Sequence, residues 1–386
     1  MYGIDERLVE HLRLAFGSLV WKLLEELRRP PSRYYFRVNT LKTSREEVLE
    51  GLRSRGIEAR PDPYVEEAAY FPVEGPFELE KEGVEGHVIV ERHAVESVLL
   101  GSNLYRPGVL RASRFDRGSR ILALSPWGDE LAIMVAAVSS EDLHRMSRGL
   151  VAINVASPYR VPRVSELPEV SEGLVYPQGL PSIVAAKALG ASPGELVVDL
   201  TAAPGGKAGH VVQLTRGLAR IIALDRSQKK AESMSLRLAS MGLHRNLIVI
   251  PMDAREALRG LLPEGAIDRI LLDPPCSDLG IRPRLRLDKT LNDVIALSSY
   301  QRQLLRVAAK LLRPSGTMLY STCTLTVAEN EENLQYAVSE LGMESVDVGR
   351  VPYADKVYFG DVVAYRFAPL GHDMPGFFFG ILRKEP

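Results

Sequence analysis

Cysteine is the scarcest informative residue in this chain: Cys276 and Cys323 are the only two in 386 residues. Two thiols cannot form a disulfide scaffold or a cysteine-rich zinc site, and no two of the seven histidines stand at metal-ligand spacing, so no resident metal is expected. Amides are nearly as rare, with seven Asn and six Gln, which suits a high-temperature source, although genome composition could produce the same bias. Long apolar runs are missing too. The longest, 131–138, has eight residues where a membrane span needs roughly 18, so no membrane partner is expected. The opening MYGIDERLVEHLR is charged and lacks the apolar core of a secretory signal, which leads us to expect a cytoplasmic protein.

Net charge is also nearly absent, at −1, but it averages over strong local differences. Residues 61–100 carry ten acids and two bases, 101–164 nine Arg and five acids, and 277–315 eight bases and three acids. Clustered arginine in a balanced protein is the footprint of a polyanion or of a solvated, ion-paired surface, and charge alone does not separate the two.

At roughly 150 residues per domain the length suggests two or three domains. In 1–80, Leu8, Leu12, Ala15, Leu19 and Leu23 predict one amphipathic helix ending before Pro30-Pro31. A strand at 34–41, a helix at 44–54 and a short strand near Ile57 follow. In 81–160, short apolar segments separated by Gly, Pro and Ser predict a small β-barrel. In 161–386, strands at 196–200, 219–225, 246–250, 268–273 and 317–322 alternate with helical patterns, among them one at 300–312. That alternation predicts an α/β, doubly wound parallel sheet, and VVAYRFAP and GFFFGILRK predict an antiparallel pair closing it.

The first parallel strand runs into Thr201-Ala202-Ala203-Pro204-Gly205-Gly206-Lys207, a turn that is neither GxGxxG nor a phosphate-binding P-loop. Asp225, twenty residues after Gly205, is placed to take both hydroxyls of a ribose, and Asp253 after the third strand can accept from an adenine amine. A nucleoside cofactor without phosphates fits these features, S-adenosylmethionine best. The plain alternative is a tight turn that uses glycine structurally.

Both cysteines fall at carboxyl ends of predicted parallel strands, in Asp273-Pro274-Pro275-Cys276 and Ser321-Thr322-Cys323-Thr324. A free cysteine is usually a small buried hydrophobe. Two at the ligand-binding edge suggest chemistry instead. C5 of cytosine is a poor nucleophile until a thiolate adds to C6; C5 can then take a methyl group, and loss of its proton lets the thiolate leave. An acid at N3 assists, a role Asp273 can fill if protonated or acting as a shuttle. Amine methyltransferases place an aromatic residue after DPP; here Cys276 stands there.

At these residues the chain resembles the Nop/Sun family of RNA cytosine-5-methyltransferases, which includes the bacterial Fmu and RsmB enzymes. RVNTLK (37–42), LVYPQGLPS (174–182), DLTAAPGGKA (199–208), DPPCSDLGIRPR (273–284), YQRQLL (300–305), YSTCTLTVAENE (320–331) and GFFFGILRK (376–384) carry the resemblance. It implies a Rossmann-like methyltransferase domain, Cys323 as nucleophile and Cys276 assisting product release. Cofactor contacts map onto Thr201–Lys207, Asp225, Asp253 and Asp273, with Lys230 where many members have Arg. Thr201 replaces a usual Cys, Ala208 a usual Thr, and Asp278 stands where Cys-Ser-Gly is usual.

Residues 94–154 resemble a PUA RNA-binding domain. Together these features look like the PUA-bearing branch of the family, whose members methylate position 72 in the tRNA acceptor stem. The resemblance implies tRNA as partner, with Arg106 and Arg111 on the barrel and Arg282 and Arg284 near Cys276 as RNA contacts, and we expect a monomer. Lys207 is expected to orient base or cofactor, or to be a solvated helix-start lysine. Tyr176 reads as a packing residue. Two other readings are kept: a ribosomal RNA enzyme, and an inactive RNA-binding protein, which would need a damaged nucleophile where Cys323 is intact. A dehydrogenase would lack GxGxxG and leave both cysteines idle.

Overall fold

Leu196–Asp199, Arg220–Asp225, Leu247–Pro251, Ile267–Leu272 and Leu312–Thr322 carry the apolar runs marked in the sequence, and in the computed structural model, which describes residues 4–386, they pair in parallel. They belong to a nine-stranded sheet. Its order from one edge is Leu247–Pro251, Arg220–Asp225, Leu196–Asp199, Ile267–Leu272 and Leu312–Thr322, then antiparallel Phe377–Lys384, Val362–Phe367 and Asp355–Phe359. Met343–Val346 pairs beside Phe377–Lys384, so the expected closing pair is part of a larger antiparallel half.

Side chains alternate between two cores. Val197, Ile221, Leu271 and Leu319 face one; Val198, Leu224, Ile270 and Met318 face the other. Each fully buried aliphatic side chain contributes roughly 1.5–3 kcal/mol relative to exposure. The chain changes direction across the sheet beside Leu196–Asp199, where a doubly wound fold opens a crevice at its strand ends. The helix expected at 300–312 is longer, Leu291–Leu311, because Thr290 and Asp293 form a reciprocal capping box that starts it nine residues earlier.

The chain divides into two compact units: one holds residues up to Pro31, Tyr35–Tyr70 and Pro168–Pro386, the other Ser32–Tyr34 and Phe71–Leu167. In the first, the single N-terminal helix expected from the sequence is two, Glu6–Phe16 and Val20–Leu27. Gly17, at φ +54°, ends the first, and Leu19 lies in the intervening turn, exposed rather than on the apolar stripe. The strand expected near Ile57 is not formed; pairing begins at Arg60–Pro61. The small sheet runs Val175–Pro177, Arg33–Val38, Ala68–Pro72, Arg60–Pro61, so its first strand comes from beyond the barrel segment.

The second unit is a six-stranded sheet ordered Leu104–Tyr105, Leu150–Ala156, Glu130–Ala136, Arg120–Leu124, Val84–Val90, Val109–Ala112. Its two outer strands are joined by the three-residue turn Arg106–Gly108, which closes the sheet into the expected barrel around Val88, Ile121, Ile133 and Val151. A two-way backbone bridge, Glu74 with Arg160 at 3.0 and 3.1 Å, ties the ends of this segment together. Among the described residues no helix is long and apolar enough to cross a membrane.

Candidate active site

The turn after Leu196–Asp199 is shaped by removal of side chains. Gly205 has φ +98°, and a Cβ there would stand 2.8 Å from Met234 Cγ; one on Gly206 would stand 3.2 Å from the Tyr176 ring. From below, buried Arg37 donates to Gly206 O (2.8 Å) and to Gln178 Oε1 (2.9 Å), fastening the turn to the N-terminal sheet. Tyr176 is buried, and its hydroxyl donates to Pro204 O (3.3 Å).

Above the turn lies a cavity of about 430 Å³ whose wall includes Asp199, Thr201–Pro204, Gly206, Lys207, Asp273, Cys323 and Phe377. Lys207 is almost fully covered and bonds Asp273 Oδ2 at 2.5 Å, which excludes the solvated-lysine reading. Ser321 donates to Asp273 Oδ1 (2.8 Å), and Asp273 N–H donates to Thr201 Oγ1 (3.0 Å). Threonine at 201 thus supplies a hydroxyl acceptor that holds the Asp273 backbone. Burial pushes the Asp199 carboxyl up to about 7, against a hydrogen bond from Thr201 N–H.

Not every expected cofactor residue lines this cavity. Asp225 ends its strand and accepts from Ser227 N–H (2.8 Å). Asp253 is held by its own neighbour: Arg255 donates from Nε (3.0 Å) and Nη2 (2.7 Å), keeping the carboxyl below its ordinary range. Lys230 is exposed on the first turn of Gln228–Ser240.

The cysteines follow neighbouring strands, in which Leu272 and Tyr320 are in register. Their sulfurs lie 3.2 Å apart, and Asp278 Oδ1 is 3.0 Å from Cys323 Sγ and 3.5 Å from Cys276 Sγ. The Cys323 thiol is held well above its ordinary value by its bond to Cys276, by burial, and by the charges of Asp278 and Asp273. The resting site therefore keeps Cys323 protonated.

Sequence reasoning assigned no role to the side chains that hold the two cysteine segments. Fully buried Glu329 accepts from Ser277 N–H (2.9 Å), Ser277 Oγ (2.5 Å), Gln301 Nε2 (3.0 Å) and Thr326 Oγ1 (2.9 Å). Burial still raises its carboxyl above the usual range. Gly280 N–H donates to Cys323 O (2.9 Å), and the backbone of Gly376 approaches so closely that a Cβ on Gly280 would meet its carbonyl at 2.2 Å. The available signal was polar residues crowded into a short segment after Cys323, which suits a buried network as well as a surface loop.

One expected RNA contact is corrected. Arg282 is buried, and its guanidinium donates to Glu26 O and Arg29 O (3.0 Å each), Pro30 O (3.3 Å) and Asp373 Oδ1 (2.7 Å), leaving no fork for phosphate. Arg106 is half-buried, with Nε donating to the carbonyls of Leu143 and Met146 and Nη1 to that of Val109. Arg111 is exposed on Val109–Ala112, and Arg284 is half-buried.

Carboxylate and hydroxyl oxygens around a turn without a phosphate cradle fit a sulfonium-bearing nucleoside, so fold and site define an S-adenosylmethionine-dependent methyltransferase. A family model described as 16S rRNA methyltransferase RsmB/F matches residues 186–383, an RsmF/B-like ferredoxin-like domain matches 5–77, and a PUA domain matches 86–157. The chain belongs to this RsmB/F-type family of methyltransferases, as the sequence resemblance implied. It is 37% identical over 391 aligned residues to the tRNA (cytosine(72)-C(5))-methyltransferase of Pyrococcus horikoshii, covering 99% of this chain and 97% of that one. The mouse tRNA (cytosine(72)-C(5))-methyltransferase NSUN6 is 31% identical, covering 82% of this chain and 73% of its own. The crystal structure of NSun6 from Pyrococcus horikoshii with SFG, an S-adenosylmethionine analogue, superimposes with TM-score 0.92 at 34% identity, covering 100% of this chain and 99% of that one.

Proposed function

We propose that this chain methylates C5 of cytosine 72 in the tRNA acceptor stem, with Cys323 as nucleophile and Cys276 assisting release. One observation carries the reading: the chain's only two cysteines stand with sulfurs 3.2 Å apart, Cys323 on the wall of the cofactor cavity. The likeness to relatives named for cytosine 72 supports the substrate. The reading keeps the cytoplasmic monomer expected from the sequence.

When bound, S-adenosylmethionine supplies the methyl group. Thr201–Pro204 and Gly206 wall its site, and Asp225 and Asp253 stand at strand ends where ribose and adenine would lie, with Lys230 flanking. A base paired in the acceptor stem leaves its stack to reach Cys323. Sulfur adds to C6, which makes C5 nucleophilic. Asp273, which accepts from the Lys207 ammonium, is placed to relay a proton from that ammonium to N3. After methylation the C5 proton departs, with Cys276 assisting, and the C6–S bond opens. Arg106, Arg111 and Arg284 remain the proposed phosphate contacts.

The test is bisulfite sequencing of RNA treated with the purified protein and S-adenosylmethionine. Methylation at cytosine 72, absent from a transcript with uridine there, is expected. Methylation confined to ribosomal RNA would overturn the substrate, as the description of the matching family model would then suggest.

A further inference from the structure

A thiol that attacks carbon must lose a proton, and the cavity wall holds no histidine among the described residues. The nearby carboxyls are not equivalent. Asp273 is engaged on both oxygens, by Lys207 and by Ser321. Glu329 is saturated by Ser277, Gln301 and Thr326. Asp278 is different, because Cys323 Sγ donates directly to its Oδ1 at 3.0 Å and Cys276 Sγ reaches the same oxygen at 3.5 Å. The two sulfurs and this carboxylate lie within 4.8 Å of one another.

The backbone explains how the carboxylate comes to be there. Asp278 has φ +58°, a left-handed conformation that favours glycine and that Asp and Asn tolerate better than other side chains. A turn that glycine would satisfy therefore carries an acid aimed at the nucleophile.

We propose that Asp278 is the general base for Cys323. As the S–C6 bond forms with the sulfur's electron pair, the S–H bond breaks and its proton passes to Asp278 Oδ1, while the C5=C6 pair shifts toward C5 and N3. At release the C6–S bond breaks, sulfur recovers its pair, and Asp278 returns the proton. The C5–H bond breaks with its proton leaving toward solvent, Cys276 assisting; its electron pair re-forms C5=C6 as sulfur departs, and N3 gives back the proton it received. This inference rests on Cys323 being the nucleophile. Cys276 from one strand end and Cys323 from the other bond Asp278, while Asp273, paired with Lys207, adds its charge at Cys323. The negative charges of Asp278 and Asp273 disfavour a preformed thiolate, so a base that acts during attack answers a need the site itself creates.

The experiment measures single-turnover methylation by the full chain from pH 6 to 9.5 for wild type, Asp278→Asn and Asp278→Gly. Both substitutions keep the left-handed turn, and S-adenosylhomocysteine binding reports on folding; should one variant fail to bind, the other decides. Wild type is expected to be flat through neutral pH. The variants are expected to fall roughly 100-fold at pH 7 and to climb about tenfold per pH unit as free thiolate becomes the nucleophile. Unchanged rates, or an equal loss at every pH, would overturn the base role. Cys323→Ala separates the two ideas: retained methylation would remove the underlying reading, whereas an inactive Cys323→Ala beside a fully active Asp278→Asn would remove only this inference.

Discussion

The two halves of the crevice solve different problems at the same sheet edge. The turn Thr201–Lys207 works by leaving side chains out: Gly205 and Gly206 are boxed in by Met234 and by Tyr176 with Gln178, and Ala202 and Ala203 flank them. Segments 276–280 and 322–333 work by filling space with bonded polar groups. Thr322 donates to Asn330 (2.5 Å), Asn330 to Thr324 O (3.1 Å), Asn333 to Gln301 (2.8 Å) and the Tyr320 hydroxyl to Glu329 O (2.6 Å), all in the interior. A ligand site needs room, whereas two sulfurs proposed to react need fixed positions, and misplacement by about 1 Å can cost 100-fold in rate. Buried networks provide such fixity only when every member is satisfied.

Substitutions can break this contrast, and the largest effects are expected in the bonded half. Cys323→Ala abolishes methylation. Cys276→Ala accumulates a covalent protein–RNA adduct that survives a denaturing gel, and absence of the adduct would count against its release role. Glu329→Ala strands the donors of Ser277, Gln301 and Thr326 in the core; we expect about 3 kcal/mol or more lost from urea-unfolding stability, with Cys323 activity lost alongside. A near-neutral result would mean that the network is not what holds the cysteines.

In the open half the effects are smaller and of another kind. Asp199 is pushed up to about 7 by burial, so the folded protein keeps a proton that the unfolded chain releases above about 4. Its contribution is present at low pH and is lost as pH rises toward 7. Asp199→Asn is therefore expected to flatten the stability of the cofactor-free protein between pH 4.5 and 7.5, by a few kcal/mol at most on the scale of about 1.4 per pKa unit. Parallel urea midpoints for the two proteins would refute the assignment. Gly205→Ala costs about 1–2 kcal/mol of backbone strain and weakens S-adenosylhomocysteine binding in calorimetry, while Cys323 still reacts with an alkylating probe. Smallest is Arg284→Ala, expected to leave stability unchanged and to reduce the salt slope of RNA binding by about one; Arg282→Ala, by contrast, should destabilise the fold.

Much of the parallel half was legible because apolar runs, the Gly-rich turn and both cysteines are local signals. What stayed hidden depends on contacts between distant segments. Arg282 reads as a basic loop residue until the helix end at Glu26–Pro30 and Asp373 surround it. Val175–Pro177 looks like part of the catalytic segment, yet it pairs with Arg33–Val38. Asp278 looks like a departure from a family glycine; only its positive φ and its distance to Cys323 give it a role. The N-terminal segment reads as one helix because Leu12, Ala15, Leu19 and Leu23 keep helical spacing across Gly17, and spacing does not register a turn's handedness.

The bridge between Glu74 and Arg160 has a consequence for how the chain folds. Residues 71–167 interrupt the larger unit, and an unstructured interruption of that length would be a long loop to close, at an entropic cost that grows with the logarithm of its length. Once the barrel has folded, its own ends are pinned together, so the larger unit closes a loop of only about a dozen residues, 71–74 and 160–167. The saving is on the order of 1–2 kcal/mol. The inserted barrel thus acts as a staple in the chain around it, and loosening its stem would be felt as lost stability in a catalytic fold it need not touch.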